Sequence, residues 1–201
     1  MINLQDQAKE LLRRAELTTK ARYGAADRLE RHHKLSQWTV SSISTALVFI
    51  PIMQALKVNL GTEVIYLSAI QAILAILVLV YSLLLGQENF ISRSEAMQRN
   101  GLELGKFSRK LDGSILNISQ YQYEKINEEY YSILSKYPNH KPIDYLLTKL
   151  SANPTDAKSC ARYIYHWVKW VTITCLIFSH YILAISFVAY ILFSLAKAIT
   201  A

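Results

Sequence analysis

His180 stands ten residues into an apolar stretch, Trp170 to Ala196, that contains no Asp, Glu, Lys or Arg. If that stretch crosses a bilayer as a helix, the imidazole lies roughly 15 Å deep, near the midplane, where an ionisable group points to proton or ion chemistry. It shares a broad helical face with Thr172, Cys175, Ser179 and Ser186, which reads as a polar lining. A neutral imidazole hydrogen-bonded to another helix fits the same pattern. Two further apolar stretches carry polar side chains of the same kind. Ser41, Ser44 and Thr45 with Gln54 lie in the first, and Ser68, Gln71 and Ser82, with Ala72 and Ala75 on roughly the same face, lie in the second. Intramembrane amides and hydroxyls join helices within a subunit, or they line water in an assembled ring. Both uses stay open for these residues.

Nothing else in the chain has the form of a reaction centre. There is no HExxH, no P-loop, no GxSxG and no Cys pair at zinc spacing, so neither an enzyme nor a cofactor or metal is expected. Glu128 and Glu129 are neighbours that point to different faces of a helix. His32, His33 and His140 have polar neighbours in the sequence and read as surface imidazoles. Cys160 and Cys175 are expected as free thiols, one in the cytoplasm and one inside a span.

The polar residues sit in three charge-free stretches, Thr39 to Leu56, Val64 to Gln87 and Trp170 to Ala196. As helices they measure roughly 27, 36 and 40 Å, against roughly 30 Å of hydrocarbon. The chain is therefore expected to be an all-α integral membrane protein, with a transmembrane hairpin, a third C-terminal span and a helical cytoplasmic module. The corresponding segments are an amphipathic helix over 1–37, a hairpin over 38–87 with spans at about 39–57 and 64–86, a module over 88–166 and a third span over 167–197. A length of 201 residues leaves about 130 outside lipid, too few for two large soluble domains. The net charge of +7 comes from 22 basic residues interleaved with 15 acidic ones, not gathered into a patch, so direct nucleic-acid binding is not expected. Membrane topology accounts for the excess. Eight basic residues precede the first span and eleven lie in 88–166, whereas the connector around Asn59-Leu60-Gly61-Thr62 carries only Lys57 and Glu63. By the positive-inside rule the N-terminal segment and 88–166 are cytoplasmic, facing in from a bacterial inner membrane. A secretory signal peptide is not expected, because charged residues run through the first 37 positions.

Leu4, Ala8, Leu11, Ala15, Thr18, Arg22, Ala25 and Leu29 recur at alternating spacings of four and three, the thin seam of an amphipathic helix that runs on into the first span past Trp38. The seam packs on the 88–166 segment or, less favoured by its small residues, on a second copy. Pro51 predicts a kink. Leu104, Phe107, Leu111, Ile115 and Ile118 mark a second helix, on which Gly101 and Gly105 permit a close approach. Ile126, Tyr130, Ile133 and Tyr137 mark a third, ending before Pro138. A turn over 138–142 leads to a short helix over 143–150, and Asn153-Pro154-Thr155-Asp156 starts a last helix that continues into the third span.

Three segments, Thr18 to Leu29, the span hairpin, and Pro138-Asn139-His140-Lys141-Pro142-Ile143-Asp144-Tyr145, resemble the SLATT domain. This is the two-transmembrane effector associated with SMODS nucleotidyltransferases and SLOG nucleotide-sensing proteins in bacterial conflict systems, here most similar to the subgroup beside reverse transcriptases. The resemblance covers roughly residues 3 to 150. It implies a pore-forming effector that is switched on by a nucleotide-sensing, nucleotidyltransferase or reverse-transcriptase partner and permeabilises the membrane in abortive infection. No catalytic residue comes with it. Three spans cannot enclose a channel, so a pore requires a homo-oligomer in the lipid bilayer. Candidate lining or intramembrane polar residues are Ser41, Thr45, Gln54, Ser68, Gln71, Ser82, Ser179 and His180. Candidates for oligomerisation or packing are Leu4, Leu11, Ala15, Leu29, Gly101 and Gly105. Two other classes fit the same residues: a non-conducting anchor that recruits a soluble defence protein, and a small transporter subunit with His180 as the proton carrier.

Overall fold

The computed structural model describes residues 3–57, 63–150 and 157–200, and all its regular elements are helices. They are α1 (Leu4–Ala55), α2 (Val64–Glu88), α3 (Phe90–Asp112), a 3-10 turn (Ile115–Asn117), α4 (Gln120–Ser135), α5 (Pro142–Leu150) and α6 (Ala157–Thr200). The connector tip at Asn59 to Thr62 and the expected cap at Asn153 to Asp156 lie outside the described residues.

α1 is one helix of 52 residues. Its buried face continues well beyond Leu29: Leu29, His32, Ser36, Thr39, Ile43, Ala46 and Ile50 extend the same alternation of three and four, each less than a tenth exposed. A seven-residue period keeps one face of a helix inward over many turns. Register overrides local polarity here, and His32, expected at the surface, is buried. Pro51 falls in the last turn of α1 and is exposed, four residues before the helix ends. α2 and α3 are separated by Asn89, whose φ of 44° and ψ of 44° lie in the left-handed region that Asn tolerates better than most side chains. α4 starts on a capping box, in which Ser119 and Gln122 satisfy each other's backbone amides.

The chain divides into two compact units. The first comprises Met1–Glu30 and Ile91–Ile173. Its core joins Ala8, Leu11 and Ala15 of α1 to Leu104, Phe107 and Leu111 of α3 and to Tyr130 and Ile133 of α4. The second comprises Arg31–Phe90 and Thr174–Ala201. Its core is a three-helix packing of Ile43, Ala46 and Ile50 on α1, Leu67, Leu74 and Tyr81 on α2, and Tyr181, Ala184, Val188, Ile191 and Leu195 on α6. α1, α2 and α6 each contain a window long and apolar enough to cross a membrane.

Candidate functional site

In the three-helix unit the apolar stripes fill each other and leave most of the candidate lining residues outside. Ser41, Thr45, Ser68, Ser82 and His180 are exposed, and Ser179 is half-buried. Thr45 donates to the Ser41 carbonyl (2.8 Å), Ser68 to Val64 (3.0 Å) and Ser179 to Leu176 (2.9 Å), so each hydroxyl has a backbone acceptor on its own helix. Such a hydroxyl can face lipid, a second copy or water without leaving a donor unmet. The two amides behave differently. Gln71 Nε2 donates to Gln54 Oε1 at 2.9 Å, tying α2 to the end of α1, and both residues are half-buried.

His180 has a different depth from the one counted along α6. The next residue, Tyr181, is 3% exposed, and its hydroxyl lies 2.8 Å from Ser36 Oγ and 3.3 Å from His32 Nδ1. Ser36 and His32 precede Trp38, where α1 enters its apolar stretch. The register of α6 against α1 thus brings His180 level with the start of the charge-free stretch of α1 and not with its middle. Its ring lies 3.9 Å from that of Tyr181 and stacks at 9° and 6.1 Å on Tyr81, whose hydroxyl donates to the His180 carbonyl at 2.9 Å. His32 is held between Phe90 (5.1 Å) and Phe178 (4.5 Å). The place of His32 in the α1 heptad is the signal for its burial, and the polarity of His32 and Ser36 masks it.

The helical module contains a second buried polar group. Arg22, at an apolar register on α1, is 1% exposed. Its guanidinium donates to the Pro138 carbonyl, to Asn139 Oδ1 at 3.4 Å and to Met97 Sδ at 3.3 Å. Arg28, two turns on, makes a bidentate pair with Asp144 of α5 (2.8 and 3.0 Å), and Asp144 also accepts the Lys141 amide at 2.9 Å. Burial lowers the Arg22 pKa from its ordinary value. Burial, and next the Arg22 charge, lower that of His140. His140, expected at the surface, is thus half-buried. Arg22 Nε, His140 Nδ1 and Asn100 Oδ1 have no protein partner. Two of the segments that carry the family resemblance, 18–29 and 138–145, meet at these residues.

The packing candidates lie inside the chain. Leu11, Ala15 and Leu29 are buried, and Leu4 is half-buried. At Gly101 a Cβ would stand 2.9 Å from the Tyr23 ring, so glycine there allows α1 and α3 to approach. Gly105 has only ordinary contact, 3.9 Å from Thr19 Cγ2. Among the described residues no cluster of His, Cys, Asp and Glu could hold a metal ion.

Helices of this length and polarity, packed through apolar stripes, define an all-α integral membrane protein with three candidate spans. The chain belongs to the SMODS and SLOG-associating 2TM effector domain family 5, whose model matches residues 4–195. It is thus a membrane effector domain. The match extends past residue 150, where the resemblance in the motifs ended, so α6 falls within the family's extent. No curated protein and no solved structure matches the chain.

Proposed function

We propose that the chain is the non-enzymatic membrane effector of a bacterial anti-phage or conflict system, which assembles with copies of itself and opens a pore in the inner membrane. The observation that supports this is the packing of the three-helix unit. Its core is apolar, built of Ile43, Ile50, Leu74, Val188 and their neighbours, so a polar lining would come from its outer faces. The polar side chains Thr45, Ser68, Ser82 and His180 are exposed, as residues that meet a second copy or pore water must be. With the N-terminus and the module in the cytoplasm, the module receives a signal from a nucleotide-sensing, nucleotidyltransferase or reverse-transcriptase partner. Gln54 and Gln71, bonded to one another, act as a structural tie across the hairpin.

The test is induced expression in a bacterium with a membrane-potential dye and propidium entry read together over the first hour, with and without the genomic neighbours. Depolarisation with growth arrest, lost in Thr45→Trp at unchanged membrane expression, is the expected result. An intact potential under every co-expression would replace the pore with a non-conducting anchor.

A further inference from the structure

One face of α1 changes character in a way the pore does not require. Arg31, Lys34, Trp38 and Ser41 follow at intervals of three, four and three, with Gln37 beside them, and all five are exposed. The face runs from two cations through an indole and an amide to a hydroxyl inside the span. Trp38 is 67% exposed. Against it opens a groove of about 500 Å³, lined by Gln37, Trp38, Val40, Ser41 and Leu85. The last of these comes from the end of α2, so the groove lies between two spans at the boundary where both meet the same leaflet.

We infer that this groove binds an anionic glycerophospholipid of that leaflet. The chemistry of its walls changes with depth as a lipid's does. Val40 and Leu85 offer apolar contact to an acyl chain. Gln37, Ser41 and the Trp38 indole offer hydrogen bonds at the level of the glycerol esters, where amphipathic rings settle. Lys34 and Arg31 stand one and two turns further out, at the level of a phosphate, and basic residues between spans attract anionic headgroups. Glu88, one turn beyond Leu85 on α2, is the acid on that side, and both it and Lys34 make a further contact of their own. On α1 itself Glu30 stands one turn further out than Lys34 and Asp27 one turn further out than Arg31, so the selectivity comes from the two cations lying nearer the groove than these acids, and needs no unoccupied donor. The volume admits one acyl chain or a headgroup with its glycerol, and not a whole lipid. That fits a groove a lipid enters from the side.

The chain has three tryptophans, and Trp167→Phe with Trp170→Phe leaves Trp38 as the sole indole. In vesicles containing brominated phosphatidylglycerol or brominated phosphatidylcholine, half-quenching of Trp38 is expected at a mole fraction about fivefold lower for the anionic lipid. Arg31→Gln with Lys34→Gln should bring the two curves together. Coincident curves in the unaltered pair would overturn the proposal. So would the absence of quenching by either lipid, because the groove would then be covered by another copy of the chain. If the Trp167 and Trp170 changes prevent folding, lipid retained by the full chain through detergent exchange gives the same readout: enrichment of phosphatidylglycerol over phosphatidylcholine, lost in the Arg31 and Lys34 variant.

Discussion

Asp144→Asn is the substitution that tests the module most sharply. The carboxylate is 2% exposed and meets three donors: Arg28 Nε at 2.8 Å, Arg28 Nη2 at 3.0 Å and the Lys141 amide at 2.9 Å. The last bond closes the start of α5, since Lys141 precedes Pro142 and Asp144 stands in the first turn. An asparagine fills the same space and can still accept one bond, but its amide group opposes an Arg28 N–H, and the charge facing Arg28 and Arg22 is gone. Breaking a buried pair while leaving its partner in place costs about 3–5 kcal/mol. With tenfold for each 1.4 kcal/mol, the opening of α5 becomes about 100- to 4,000-fold more frequent. Hydrogen exchange by mass spectrometry on the full chain in detergent reads this directly. The amides of 143–150 should lose that much protection, while those of 67–81 in α2 stay unchanged. The double variant Arg28→Met with Asp144→Leu removes both charges and should recover more than half of the loss. Protection of 143–150 within about threefold of the unaltered chain would refute the claim that this pair holds α5.

Two glycines four residues apart on α3 should respond with different sign. Gly105→Ala adds a methyl in ordinary contact with Thr19 and gains about 0.8–1 kcal/mol of helix propensity, which should raise the melting temperature by about 2–4 °C. Gly101→Ala drives the Tyr23 ring from its seat and should give no gain or a loss, so equal rises would contradict the packing of α1 on α3. Acid should loosen the turn over 138–142. His140 titrates below its ordinary 6.5 in the folded chain through burial and, next, Arg22, so the unfolded state takes up its proton first. Stability is unaffected above that value and falls as the pH drops below it, down to the folded pKa. Circular dichroism melts at pH 7.5 and 5.5 should differ by less in His140→Gln than in the unaltered chain, and an undiminished difference would assign the effect to another histidine.

The module was largely legible because its sequence carries its own punctuation. Pro138 and Pro142 bracket the turn, whereas the apolar repeat of the second helix runs on through Ile115 and Ile118 although α3 ends at Asp112, and the cap at Ser119 and Gln122 that starts α4 went unread. The break at Asn89 was not legible, since a single left-handed residue leaves no periodic trace and the loss of apolar character past Gly86 looks the same with or without it. His32 and Ser36 were readable and missed: they stand in the α1 heptad that Ile43, Ala46 and Ile50 continue, and their polarity masked the period. The Arg22 and Arg28 contacts belong to a third kind. Nothing in a linear spacing shows that residues 116 positions away supply the carboxylate and the carbonyl.

Depth in the membrane is the property that sequence handles worst, and His180 shows the cause. Counting from the first apolar residue assumes that a helix enters the bilayer where its apolar run begins. α6 is 44 residues long, more than a bilayer needs, so its run does not fix its own position. Position comes from its partner. Tyr181 is tied to Ser36, three residues before the charge-free run of α1 begins at Thr39, so the level of His180 is inherited from a helix 145 residues earlier in the chain. Ser36→Ala and Tyr181→Phe should therefore weaken the setting of His180 more than any change to the apolar run of α6 itself.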